Sequence, residues 1–326
     1  MRPRFAGAQP DPPRGAAMPS APSDAPVRRM LALPGIRVSG LRWSPPDDAA
    51  SSERRLVILH GVMGNALAWD GVGRALARDG WTVDALDLPG HGQTRWTDER
   101  GAPLPDQEAV GAEPYELRRV GEVVARAMRA LPPAERRRDA GANDPPIDDT
   151  AAGLPVVLGH SWGAGVALAA IDAGAPAAHL VLLDPPFLTP EQGAEMATSF
   201  GAELRPGLDL EQARALVRES GADDATVEAA AHAMVETSPL AAQAVARSGP
   251  WDPLALMAAW RAAHADLPVD VIAGDPAAGG LIPPPVLGLL RATLGPLRVH
   301  ELPGLGHSPY REDRERFLRV LRGILG

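Results

Sequence analysis

The chain has 326 residues, 45% of them hydrophobic and 22% charged, with a formal net charge of −9. That length suffices for one large core with room for an inserted subdomain, and an acidic chain without a basic stripe gives no support to nucleic-acid binding. There is no cysteine, so disulfides, thiolate catalysis and cysteine metal sites are excluded, and every basic residue is arginine, which rules out a lysine nucleophile.

Met1–Val27 is rich in Pro, Ala, Gly and Arg and lacks the apolar run of a secretory signal. Residues 1–30 are expected to form a disordered extension, with Met18 or Met30 as alternative starts and the cytoplasm as the default location. No stretch approaches the roughly 18 consecutive apolar residues of a membrane span.

The first strand is expected at Gly35–Trp43, where apolar and polar residues alternate. Leu56–Leu59 is a fully apolar strand that runs into His60-Gly61-Val62-Met63-Gly64. A helix follows at Trp69–Arg78, then a strand at Thr82–Leu86 and the turn Asp87-Leu88-Pro89-Gly90-His91-Gly92. His60, Asp87 and His91 read as loop-fixing groups rather than reacting ones. Tyr115–Ala130 has helical periodicity, and Pro132–Gly153 reads as a long polar loop.

Val156-Val157-Leu158 is a short β-branched run followed by Gly159-His160-Ser161-Trp162-Gly163 and then an Ala-rich helix former. Strand, tight turn and helix with serine at the apex make a nucleophile elbow. The small residues two positions either side of Ser161 allow its strained backbone, and the helix after it aims free N–H groups at any oxyanion formed there. The Val62 and Trp162 N–H groups are the expected oxyanion donors.

Beyond the elbow helix, His179–Leu183 is a strand ending at Asp184. From there to about Pro250 only helical stretches appear, which reads as an α-helical cap over residues 186–250. Core would resume over 251–326, completing the part that spans 31–185. It holds a helix at Asp252–His264, strands at Val269–Ala273 and Leu297–Leu302, and an amphipathic final helix at Arg311–Leu325. Alternating strands and helices argue for a mostly parallel sheet with helices on both faces.

A serine hydroxyl needs a base to take its proton, and a carboxylate to hold that base's tautomer. Ser161, Asp275 and His307 supply these parts, each at the end of an expected strand. His307 stands apart among the eight histidines because it lies in the glycine-rich loop after the last strand.

The HGVMGN loop, the DLPGHG turn, the GHSWG elbow, the GDP turn and the GLGH loop together resemble the α/β-hydrolase superfamily. The resemblance runs from about Gly35 to the end, with the cap matching in position alone. It implies an α/β-hydrolase fold with an inserted α-helical cap, acting on a small molecule without metal or organic cofactor, and without a nucleic-acid or membrane partner. Branches that use an aspartate nucleophile, the epoxide hydrolases and haloalkane dehalogenases, do not match Ser161. The superfamily's acid usually sits in a G-x-x-D pattern whose last place is held here by Ala277. Asp275 sits directly after Gly274 instead, in a longer loop to Pro283 whose shifted turn can still deliver it to the imidazole; it is the preferred acid, and Asp184, at a location some members use, the alternative. Ester hydrolysis through an acyl-enzyme is the leading expectation. A C–C bond hydrolase is the second, with Arg214 or Arg218 either binding a substrate carboxylate or facing solvent. A non-catalytic receptor or scaffold, favoured by the displaced acid, is the third.

Overall fold

The structure is a computed structural model. It describes residues 25–46, 54–133, 153–187, 190–204, 207–247, 260–293 and 298–326. Residues 1–24, most of the expected loop after Pro132, and residues 252–259 of the expected helix lie outside the described residues.

The apolar runs of the sequence become the centre of one sheet. Its strands are β1 (Val27–Leu33), β2 (Ile36–Trp43), β3 (Arg55–Leu59), β4 (Thr82–Leu86), β5 (Arg95–Trp96), β6 (Val156–His160), β7 (His179–Leu183), β8 (Val269–Gly274) and β9 (Arg298–Leu302). Their order is β1-β2-β4-β3-β6-β7-β8-β9, with β5 paired to β2. The strands from β4 to β9 are parallel, and β2 joins them antiparallel. A parallel strand is covered on both faces, so it has no polar side to show. Leu56, Ile58, Leu158, Val181, Leu183 and Ile272 accordingly feed one buried cluster, and Val57, Leu59, Val157, Leu180, Leu182 and Val271 the other.

Helices α1 (Asp70–Arg78), α2 (Leu117–Ala130) and α3 (Trp162–Asp172) follow β3, β5 and β6. Between β7 and β8 lie α4 (Pro190–Glu203), α5 (Leu210–Arg218), α6 (Asp224–Glu236) and α7 (Pro239–Arg247). Then come α8 (Pro284–Thr293), the short α9 (Pro309–Glu312) and α10 (Arg314–Leu325). Phe317, Leu318, Leu321 and Ile324 form the apolar stripe of α10 and pack with Val72 and Leu76 of α1 on one sheet face. The other face is covered by α2 and α3, which are buried along most of their length. No helix among the described residues is long and apolar enough to cross a membrane.

Two differences from the sequence expectation concern the edge. Residues 27–30, assigned above to a disordered extension, belong to β1, which pairs antiparallel with β2 from Val27↔Arg42 to Leu33↔Ile36. The pairing turns on Pro34-Gly35, with Gly35 at φ 79°, the left-handed geometry a tight hairpin requires. β5 is also new, a two-residue strand too short to leave a period.

One polar group is set inside the sheet. Asp84 on β4 and Arg42 on β2 are both buried and make a bidentate pair, with Nε–Oδ1 at 2.7 Å and Nη2–Oδ2 at 2.8 Å. Arg42 Nη2 also donates to the Pro132 carbonyl at 2.9 Å, and the Arg55 guanidinium lies 3.6 Å from Asp84. Removing the carboxylate strands two cations against the core. Asp84→Ala is expected to cost about 3–5 kcal/mol in urea denaturation, whereas breaking the exposed Arg118–Glu122 pair with Arg118→Ala should leave the midpoint unchanged.

Candidate active site

β6 ends at His160 and α3 begins at Trp162, so the chain reverses at one residue. Ser161 takes φ 55° and ψ −127° to do this. The reversal presses the helix start onto the strand. A Cβ on Gly159 would stand 2.3 Å from the Gly163 carbonyl oxygen, and one on Gly163 would stand 2.3 Å from that of Leu59. Both positions therefore exclude any side chain. The Ser161 N–H donates to the Leu183 carbonyl at 2.9 Å, tying the elbow to the end of β7.

His307 lies in the loop after β9. Its Nδ1 is 2.7 Å from Asp184 Oδ2, which fixes the proton on Nδ1 and leaves Nε2 as the acceptor. Asp184 directly follows β7, is fully buried, and takes φ 40°. Its Oδ1 accepts from the Gly274 N–H at 3.0 Å and its Oδ2 from the Leu281 N–H at 2.9 Å.

Asp275, the acid preferred from sequence, does not meet His307. Its carboxylate accepts from the Ala277 N–H at 2.8 Å and the Gly304 N–H at 2.7 Å. It caps a short 3-10 turn at Pro276–Ala278, and those backbone bonds hold its pKa below the usual carboxylate value. The partner of His307 is the alternative, Asp184.

Two residues that the sequence reading passed over hold the histidine loop. Glu312 accepts from the N–H groups of Gly306 and Ser308, the residues flanking His307. His160, the variable residue of the elbow, has its Nε2 2.9 Å from the His307 carbonyl oxygen, and the two rings lie 4.7 Å apart. Burial, then the neighbouring His307, hold His160 well below the ordinary histidine pKa. A neutral His160 can donate to the carbonyl without setting a second positive charge beside His307. The spacing Ser308…Glu312 around a short helix was the available signal for the first clamp; nothing in the sequence distinguished His160.

The loop after β3 crosses the other side of Ser161. His91 Nε2 accepts from the Met63 N–H at 3.3 Å, and His60 Nε2 accepts from the Leu88 N–H at 3.0 Å. Asp87 accepts from Ser39 Oγ at 2.8 Å and the Ala66 N–H at 2.8 Å. These are the loop-fixing roles expected of His60, Asp87 and His91. Among the described residues, the N–H groups of Val62 and Trp162 have no protein acceptor. The Trp162 ring is buried in the core under α3.

These elements enclose a cavity of ≈ 510 Å³. Ser161, His307 and Val62 line it, with Met196 of α4 and Ala233 and Met234 of α6. No hydrogen bond joins the Ser161 hydroxyl to His307 in this structure; bonds of this kind tighten in the Michaelis complex. A base with a fixed tautomer, a hydroxyl at a strained elbow and two free N–H groups can together carry out acyl transfer.

The model of the alpha/beta hydrolase family matches residues 56–320. The chain belongs to this family. It is accordingly a hydrolase, and solved structures similar to it share its fold. One is an E-2-(acetamidomethylene)succinate hydrolase, with TM-score 0.66 and 18% identity over 91% of this chain and 98% of the other. Another is the N-formylmaleamic acid deformylase of Pseudomonas putida S16, with TM-score 0.65 and 16% identity over 91% of this chain and 100% of the other. A hydrolase from Pseudomonas aeruginosa PA01 gives TM-score 0.62 and 21% identity over 92% and 98%. A search of curated proteins gives no match.

The buried histidines of this family member make a testable pH dependence. Burial lowers the His60 pKa to about 4 and the His91 pKa to about 3. The unfolded chain, with ordinary histidines, binds more protons between pH 6.5 and those values, so stability falls as pH falls through that window. In His91→Gln, the loss between pH 6.5 and 5 measured by urea denaturation should be smaller than in wild type by about 1–2 kcal/mol.

Proposed function

We propose that the chain is a serine hydrolase that cleaves an ester-like acyl bond through Ser161, His307 and Asp184. The observation that carries this reading is the 2.7 Å bond from His307 Nδ1 to a fully buried Asp184, set one strand from the elbow that bears Ser161. Ser161 attacks the carbonyl carbon while His307 Nε2 takes its proton. The oxyanion draws the Val62 and Trp162 N–H groups, each worth about 3 kcal/mol in the transition state. His307 then protonates the leaving group, and a water activated by the same imidazole hydrolyses the acyl-enzyme. Helices α4 and α6 act as the cap, presenting methionine and alanine side chains to the acyl pocket. The receptor reading rested on a displaced acid, and with Asp184 beside His307 that argument lapses.

Labelling with a fluorophosphonate probe and hydrolysis of a short p-nitrophenyl ester test the reading. Ser161→Ala and His307→Ala should abolish both, with kcat down by about 10⁴-fold or more. Asp184→Asn should lower kcat by about 10³–10⁴-fold with the fold intact, and Asp275→Asn by no more than about threefold. A wild-type protein that neither labels nor turns over any short ester sinks the proposal, and an Asp275→Asn loss larger than that of Asp184→Asn reverses the choice of acid.

A further inference from the structure

We propose that Arg311 is a carboxylate receptor at the mouth of the catalytic cavity, and that the substrate is an ester-like compound carrying a free carboxylate. The second half rests on the serine-hydrolase reading above; the first does not.

Arg311 lies four residues after His307, on α9, and borders the cavity beside Ser308 and Tyr310. Among the described residues that line the cavity it is the only one with a carboxylate or guanidinium side chain. The rest of the wall is glycine, alanine, valine, methionine and leucine, with His160, Ser161, His307, Ser308 and Tyr310. Arg311 therefore brings the one guanidinium to the edge of a mostly apolar chamber.

Arg311 is exposed, and its Cζ lies 5.4 Å from the centroid of the Tyr310 ring. No carboxylate among the described residues pairs with it. The nearby acids have other donors: Glu312 holds the Gly306 and Ser308 N–H groups, Asp313 accepts from the Arg316 N–H, and Asp223 from the Thr226 N–H. Arg311 also borders a second groove on the outer side of α9, where Asp223, Asp313 and Glu315 stand with Arg314, so it lies between that groove and the cavity. The charge of Arg311 also reaches inward: burial is the main cause of the depressed pKa of His60 and His160, and Arg311 adds to it at both.

The cap arginines do not compete for this role. Arg214 is held by Glu228 at 2.6 Å and by Glu211, and neither it nor Arg218 lines the cavity. A guanidinium matches a carboxylate through two parallel N–H···O bonds, and a single positive charge balances a single negative one. A substrate with a carboxylate at one end and its ester-like carbonyl at Ser161 would be oriented by both.

Two esters of equal chain length test this, mono-p-nitrophenyl adipate and p-nitrophenyl hexanoate. Wild type should favour the anionic ester, and Arg311→Gln should lower the adipate-to-hexanoate ratio of kcat/KM by about tenfold to a hundredfold. Arg311→Lys should fall between them, because it keeps the charge and loses the fork. Equal loss on both esters in Arg311→Gln, or no preference in wild type, overturns the proposal. Binding of ethyl hydrogen adipate to Ser161→Ala, followed by ligand-observed NMR, separates the two readings. Binding that weakens about tenfold on adding Arg311→Gln upholds the receptor even if fluorophosphonate labelling of wild type fails. Absent binding, or binding indifferent to Arg311, overturns it even if labelling succeeds.

Discussion

The buried carboxylate of Asp184 is the constraint on which the carboxyl end of the sheet depends. A carboxylate with no solvent contact is costly unless every lone pair that matters has a donor. Asp184 finds three: the Gly274 N–H at the end of β8, the Leu281 N–H in the loop before α8, and His307 after β9. Three donors that lie 90, 97 and 123 residues further along the chain therefore converge on one side chain. The backbone is bent to allow it. Among the described residues, the non-glycine positions with positive φ are Met63, Ser161 and Asp184, and all three belong to the same site. Backbone strain concentrated in this way persists only where the surrounding structure over-determines it. Here the sheet register and the hydrogen bonds at the strand ends do so.

The serine and the histidine were legible because their chemistry is coupled to local backbone form. A strand, two obligatory small residues and a helix former announce Ser161, and a glycine-rich loop after the last strand announces His307. The carboxylate partner of His307 was not legible in this way, because both candidate aspartates follow a strand and precede a proline. What separates them is where the side chain finds its donors. Asp275 begins Asp-Pro-Ala-Ala-Gly, a sequence in which an aspartate caps its own turn, and one of its oxygens is satisfied there. Asp184 has no such local partner, so it reaches across the sheet. The family pattern pointed to the region after β8, whereas the local turn chemistry argued against it.

Elsewhere the fold was read well where hydrophobic period dictated it and poorly where pairing did. The central parallel strands β3, β6 and β7 are apolar runs buried along most of their length. β1 carries two arginines and a half-exposed face, and it is a strand because β2 offers it an edge across a Pro-Gly turn. The arginines of α5 illustrate the same limit. Arg214 looked available in sequence; Glu211, three residues earlier on its own helix, was a partner that spacing could show, but Glu228 of α6 is a tertiary contact with no sequence signal.

An aspartate–histidine hydrogen bond does not by itself make a site. Asp270, buried near the start of β8, holds His179 at 2.7 Å and His300 at 2.6 Å, and His264 bonds Asp172 at 2.8 Å. These pairs are as short as the one at Asp184. None stands at the carboxyl end of the sheet beside a serine held at positive φ. His60, His91 and His160 stand close to that serine, but they are buried, held neutral and committed to the backbone. They shape the chamber without being available to titrate in it. His307 combines the two conditions: a buried carboxylate fixes one nitrogen, and the ring is 30% exposed in the cavity. That leaves its other nitrogen as the acceptor on the side of Ser161. The distinction is one of position in the sheet, which is why the order of the strands decides which of several like pairs can do chemistry.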